Sequence, residues 1–269
     1  MRRRISILFL IITLTFTSQA FAMTGRDVMD KAKDIINDGD SMHALMGMDL
    51  IDDDGEVQAR KIEVWGITYN QSKDLSKVVM EFRTPASIKG TRFLQVENDG
   101  RDDDKWIYLP SLGRVRRISS SEGSKSFVGS DFTYDDMSSR EVDEDNHKIL
   151  REEKLGDYDC YVVESIPKNS EDAQYAKRIS WVTKEHFVPV RVEMYSKKTG
   201  DLQKLLTVKH NIKKIDGIWT VFDALMKDME SGHSTKLYII RGKSGAPYIE
   251  YNKKISPVRF TKRFLKTGR

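Results

Sequence analysis

From Ser41 the apolar positions fall into a period of two. Met42, Ala44, Met46, Met48 and Leu50 line one side, and His43, Leu45, Gly47, Asp49 and Ile51 line the other, which is the spacing of a strand. Asp52-Asp-Asp-Gly55 supplies a hairpin turn, with glycine free to take positive φ, and a second strand is predicted over about 57–69 around Trp65. Val78, Met80 and Phe82 share a face opposite Lys77, Glu81 and Arg83; Thr84-Pro-Ala then breaks the run before a strand over about 91–97. A polar turn over 98–104 leads to Trp106-Ile-Tyr-Leu-Pro110, a strand that stops where proline removes a donor. Ser111-Leu-Gly113 reverses the chain and Arg114-Val-Arg-Arg-Ile118 returns it. Residues 119–126 have the serine and glycine composition of a mobile loop, and large rings reappear between carboxylates over 126–137.

A charged connector then runs to Lys148, and further strands are predicted at about 158–166, 178–183, 188–195, 202–211, 219–227 and 234–240. Turns such as Lys198-Thr-Gly-Asp201 and Ile215-Asp-Gly217 separate them at hairpin spacing. One long helix is predicted: Thr24 caps it with Asp27 near its start, Val28, Ala32, Ile35 and Ile36 form its stripe, and Asn37-Asp-Gly39 ends it. With no second long helix to pair with, that stripe must lie on a sheet. The tail over 260–265 has room for one helical turn. Many short strands, almost no helix and no βαβ alternation point to a mainly β (α+β) chain built on one antiparallel sheet that curls on itself.

The run of a Trp-x-Tyr-Leu-Pro strand, a Gly-Arg-Val-Arg-Arg-Ile return and Ser126-Phe-Val-Gly-Ser-Asp-Phe-Thr-Tyr-Asp-Asp-Met137 resembles the outer-membrane lipoprotein-sorting protein family, relatives of the LolA-type periplasmic carriers. The likeness continues through Ile179-Ser-Trp-Val182, Pro189-Val-Arg-Val-Glu-Met-Tyr195, Ile215-Asp-Gly-Ile-Trp219 and the Gly-His-Ser-Thr-Lys-Leu run at 232–237. It implies a strongly curved antiparallel sheet, an incomplete barrel of LolA/LolB type, with an N-terminal helix, short covering helices and an apolar cavity for acyl chains. It implies no catalytic residues and no cofactor. The expected function is a periplasmic carrier that takes a lipid or acylated lipoprotein towards the outer membrane, beside an inner-membrane RND-type exporter and with transient membrane contact. Two other classes stay open: a module of the same fold that senses lipid or lipoprotein, and a secreted hydrolase whose triad is not visible in sequence.

Charge and length set the address. Met1-Arg-Arg-Arg4, the apolar run from Ile5 to Phe16 and Ala20-Phe-Ala22 read as a secretory signal peptide, cleaved after Ala22. The apolar run is too short to span a bilayer, which takes about twenty residues. Removal of residues 1–22 takes away three arginines, so 42 Lys and Arg face 41 acids in a near-neutral mature chain, which argues against nucleic acid as a partner. Residues 23–269 are expected to form a single domain. The lone Cys160 has no partner for an internal disulfide and reads as a buried small hydrophobe.

Candidate chemistry is sparse. His43, His147, His186, His210 and His233 show no metal-ligand spacing, and the clusters Asp52–Asp54 and Asp102–Asp104 read as solvated turns. There is no nucleophile elbow, phosphate loop or dinucleotide fingerprint. Arg114, Arg116 and Arg117 suit an anionic headgroup or partner surface, or else pair with Asp102–Asp104 or with Asp131, Asp135 and Asp136. The most informative feature is the set Met42, Met46, Met48, Met80, Phe82, Phe93, Trp106, Tyr108, Phe127 and Phe132. It reads either as plain core or as the lining of an apolar ligand cavity, which methionine suits because it fills irregular space.

Overall fold

The computed structural model describes residues 23–36, 39–138, 140–171, 173–209 and 211–269. The predicted leader over 1–22, the predicted helix stop at 37–38 and His210 lie outside the described residues. One antiparallel meander contains β1 (Ser41–Ile51), β2 (Val57–Asn70), β3 (Leu75–Thr84), β4 (Arg92–Val96), β5 (Asp104–Leu109) and β6 (Arg114–Ile118). A second contains β7 (Asp145–Leu155), β8 (Tyr158–Pro167), β9 (Tyr175–Thr183), β10 (Pro189–Ser196) and β11 (Leu202–Val208). After a small separate hairpin, β12 (Ile212–Ile215) and β13 (Ile218–Val221), the strands β14 (Asp223–Asp228) and β15 (Ser234–Ile239) join the two meanders. The resulting sheet runs β6-β5-β4-β3-β2-β1-β15-β14-β11-β10-β9-β8-β7, and β16 (Ile249–Tyr251) takes over from β15 along β1.

The sheet is not closed: β6 and β7 are free edges. Both carry charge, Arg114, Arg116 and Arg117 on one and Arg151, Glu152, Glu153 and Lys154 on the other, which discourages pairing with a further chain. The segment over 119–144 connects these two edges, so it must cross the whole width of the sheet. Its side-chain bonds show how far the sheet curls. Asp135 accepts from Lys105 Nζ on β5 at 2.7 Å, and Asp136 accepts from the Tyr175 hydroxyl on β9 at 2.9 Å. Those strands stand nine positions apart, roughly 43 Å on a flat sheet, whereas adjacent Cα atoms are about 3.8 Å apart. The sheet is therefore wrapped around the crossing segment as an incomplete barrel.

The predicted helix forms as α1 (Gly25–Ile36). Thr24 Oγ1 accepts from the Asp27 N–H at 3.1 Å and the Asp27 carboxylate accepts from the Thr24 N–H at 2.8 Å, while Val28 and Ala32 pack on Val163 and Val182. The tail forms α2 (Lys262–Thr267), with Phe260, Phe264 and Leu265 buried on Trp65, Val79 and Leu94.

Three expectations change. The charged connector conceals β7, whose alternation is hard to read because most of its side chains face solvent. The runs predicted at 202–211 and 219–227 are not single strands: the chain leaves the sheet after Val208, makes β12 and β13, and rejoins at Asp223. Phe222 at that corner is buried against Ala44 and Ile239, a tertiary contact that local alternation cannot signal. The loop over 119–126 is an ordered turn: Ser119 and Glu122 form a reciprocal cap, Lys125 accepts from the Tyr134 N–H, and Gly123 accepts from the Asp135 N–H. A Cβ on Gly123 would lie 2.2 Å from the Asp135 carboxylate, so the turn packs directly on the crossing segment.

Candidate functional site

Cross-strand neighbours share a face, so the register defines what lines the concave side. One row is Ile239, Met46, Ile62 and Phe82; another is Ala44, Val64, Met80, Phe93 and Ile107. Met48 lies beside Leu237 and Arg60, and Met42 stands at the end where Tyr251 pairs. The alternation from Met42 to Leu50 thus places its whole apolar set on the inner face.

The segment 126–137 fills that face. It folds back on itself as a tight turn: the Phe127 N–H donates to Phe132 O at 2.8 Å and the Ser130 N–H donates to Phe127 O at 3.0 Å. Val128 and Gly129 at the tip have φ of 51° and 79°, a conformation natural for glycine and uncommon for a β-branched residue. The strain at Val128 is held by tertiary contact, since its carbonyl accepts from Arg60 Nη1 on β2. Phe127 is fully buried, with ring centroids 5.2 Å from Phe93, 5.6 Å from Tyr134 and 6.1 Å from Phe82. Phe132 is buried in the same cluster.

Polar side chains from both halves of the sheet fasten this crossing segment. Lys105 on β5 reaches Asp135. On the other side, Lys204 on β11 donates to the Asp131 carbonyl and stands 3.6 Å from Asp136. Thr235 on β15 donates to the Asp131 carboxylate at 2.6 Å and accepts from the Asp131 N–H at 2.9 Å. Tyr175 is pushed to a higher pKa by burial and then by Asp136, so it remains a hydroxyl donor. Arg60 has its pKa lowered by burial and meets a carbonyl instead of a carboxylate. Lys105, Lys204, Thr235, Tyr175 and Arg60 escape sequence reasoning, because a single polar residue within a strand does not reveal which distant segment it meets.

Of the candidate residues, Met42, Met46, Met48, Met80, Phe82, Phe93, Phe127 and Phe132 share the inner cluster. Trp106 and Tyr108 do not. They project from the opposite face of β5, whose inner side is Lys105 and Ile107, and pack with Leu94, Phe260 and Phe264 under α2. The expectation of a shared face therefore fails at these two rings: strict alternation puts Trp106 and Tyr108 on one side and Ile107 on the other.

The arginines divide in the same way. Arg116 lies on the inner face with Nη1 2.8 Å from both Glu122 oxygens, and with Lys125 it holds that carboxyl down to about 2. Arg117 lies on the outer face, 2.7 Å from Asp104. The ion-pairing alternative is realised at Arg117 with one of the expected acids and at Arg116 with a different one. Arg114 is exposed and has no acidic partner among the described residues.

Two hydroxyl–histidine pairs bear on hydrolysis. His147 Nε2 must donate to the Val142 carbonyl at 2.9 Å, so its Nδ1 accepts from the Ser165 hydroxyl at 2.8 Å. The polarity is that of a base and a nucleophile, but Ser165 is only 2% exposed and offers no atom to a substrate. Thr183 and His186 pair at 3.2 Å; Thr183 is equally buried and also accepts from the Val188 N–H, which braces a turn.

The fold seen here is shared by solved structures. A putative outer-membrane lipoprotein-sorting protein domain from Vibrio parahaemolyticus is similar at 30% identity and TM-score 0.78, over 90% of this chain and 98% of that one. The chain belongs to the outer-membrane lipoprotein-sorting protein family. A DUF1329 family protein from Desulfovibrio piger is similar at 27% identity and TM-score 0.82, covering 90% of this chain and 97% of the other. A LolA superfamily protein from Nitrosomonas europaea shares the fold at 22% identity and TM-score 0.67, over 90% of this chain and all of its own. A family model described as uncharacterized-protein-like matches residues 74–267, and no curated protein matches the chain. In this lipoprotein-sorting family member the matched region contains the entire crossing segment.

Proposed function

We propose that this chain, as a single domain over residues 23–269, is a periplasmic carrier. It takes an acyl chain of a lipid or acylated lipoprotein onto its concave face and conveys it towards the outer membrane, receiving it beside an inner-membrane RND-type exporter. One observation carries the reading: the apolar inner face is filled by a segment that is not part of the sheet. That segment is attached by side-chain bonds and turns, so it can be displaced with the fourteen-stranded sheet intact. Phe127 and Phe132 then occupy the place of the acyl chain, against Met42, Met46, Met48, Met80, Phe82 and Phe93. Methionine suits this exchange, because its unbranched chain repacks around ligands of different shape. Each methylene buried contributes about 0.8 kcal/mol, so binding needs no polar key and discriminates loosely between chains.

The test is native mass spectrometry of protein gently purified from its own periplasm, followed by titration of delipidated protein with lipids and lipopeptides. Copurified or titrated acyl ligand is expected. Met46→Asp should abolish uptake while cooperative melting is retained. Absence of both copurified and titrated ligand in the wild type overturns the carrier reading.

A further inference from the structure

The chain is near neutral after its leader, yet its charges are not evenly mixed. Between Lys253 and Arg269 there are seven Lys and Arg and no Asp or Glu. Elsewhere Asp and Glu are interspersed with the cations and several exposed ones pair, as Arg26 does with Asp143 and Arg117 with Asp104. In this stretch none has a carboxylate partner among the described residues. Arg259 lies 4.1 Å from the centroid of Trp65 and Lys262 lies 4.5 Å from that of Trp106, while Lys253, Lys254, Arg263, Lys266 and Arg269 are exposed.

The display is rigid. An isolated six-residue helix does not hold in water, so α2 exists because Phe260, Phe264 and Leu265 are buried on the outer face of β2–β4. Thr261 Oγ1 caps its start, Gly268 ends it at φ 73°, and Arg92 Nη1 donates to the Leu265 carbonyl at 3.0 Å. One side of the helix is thus committed to the protein, and the other presents Lys262, Arg263 and Lys266 beside Thr267. Val258, 55% exposed, adds an apolar tip within the same charged stretch. A cluster of this size with an apolar tip matches the chemistry of an anionic bilayer surface: long side chains spread over headgroups without needing a pocket, and an aliphatic group enters the interface.

We propose that the face formed by Lys253–Arg269 docks the protein on anionic phospholipid bilayers. The inference deepens the carrier reading and rests on it for its purpose, since cargo must leave and enter a membrane. Its placement is consistent with exchange there. α2 lies over β4–β6, which includes one free edge of the sheet, and the crossing segment departs from that same edge.

Sedimentation of the purified protein with vesicles tests the proposal, using phosphatidylglycerol mixed into phosphatidylcholine against phosphatidylcholine alone. Binding to the anionic vesicles only is expected, with loss at high salt. The triple variant Arg263→Gln/Lys266→Gln/Arg269→Gln removes exposed, unpartnered charges and should keep its melting temperature. Its partitioning should fall about a hundredfold, at about fivefold per charge. Equal binding to both vesicle types, or anionic binding unchanged in the triple variant, overturns the proposal. Binding to an acidic polypeptide without binding to anionic vesicles also overturns it, and points to a protein partner. Acyl-ligand uptake in solution, measured on the same samples, separates the two readings. Uptake without docking removes only this inference, and docking without uptake removes only the cargo reading.

Discussion

The two sides of β4 and β5 carry similar rings under different covers. On the inner side Phe93 and Ile107 meet Phe127 and Tyr134, brought by a segment held through Lys105, Lys204, Thr235, Tyr175 and Arg60. On the outer side Leu94, Trp106 and Tyr108 meet Phe260 and Phe264, and Lys262 of that cover lies over the Trp106 ring. The inner cover is an irregular segment fixed by directional polar bonds at both ends of its crossing. The outer cover is a helix fixed by apolar burial, with three cations and no acid on its free side. A ring-rich block that reads as one site is therefore two surfaces separated by the thickness of a sheet, one covered through polar bonds and the other through apolar burial.

Substitution of one ring on each side gives the largest contrast. Phe127→Ala opens a void in a fully buried cluster and should cost about 3–5 kcal/mol, whereas Trp106→Ala, half-buried under Lys262, should cost about 1–2 kcal/mol. Urea denaturation at pH 7.5 measures both, and equal losses would mean that the two faces are energetically alike.

A second contrast uses pH at the turn that feeds β5. Burial, then the charge of Glu97, pushes the Asp103 carboxyl up to about 6, and Gln95 donates to it at 3.0 Å. The unfolded chain ionises this group near pH 4, so the folded state binds the extra proton between about pH 4 and 6. The folded state is therefore penalised above about pH 6, and the penalty fades as pH falls towards 4. Asp103→Asn, which still accepts from Gln95, should stabilise the protein by about 2 kcal/mol at pH 7.5 and have little effect at pH 4. Paired denaturation curves at the two pH values check this, and a gain that persists at pH 4 would refute the assignment to ionisation.

The smallest effect is expected on the outer face of the edge strand. Arg117 pairs with Asp104 across 2.7 Å but is 61% exposed, so Arg117→Ala should cost less than about 1 kcal/mol and nothing measurable at high salt. A larger loss would show that edge charge stabilises the sheet itself.

Much of the sheet was legible along the chain. The two-residue period fixed which side of β1 carries Met42, Met46 and Met48, proline and glycine marked the β5–β6 turn, and Thr24 with Asp27 marked the start of α1. These features depend on neighbours within a few residues. The block over 126–137 was legible as special, because rings alternating with carboxylates fit neither a solvated loop nor a strand. What only the tertiary structure decided is where that block lies and what holds it. Asp135 and Asp136 are adjacent in sequence yet bind strands nine positions apart, a pairing that arises from the curl of the whole sheet. The separation of Trp106 and Tyr108 from Phe127 and Phe132, the break at Phe222 and the uncompensated charge of the tail are likewise settled by which distant surfaces meet. Periodicity specifies the face of a residue within its own strand, whereas the identity of the cover on that face depends on long-range packing.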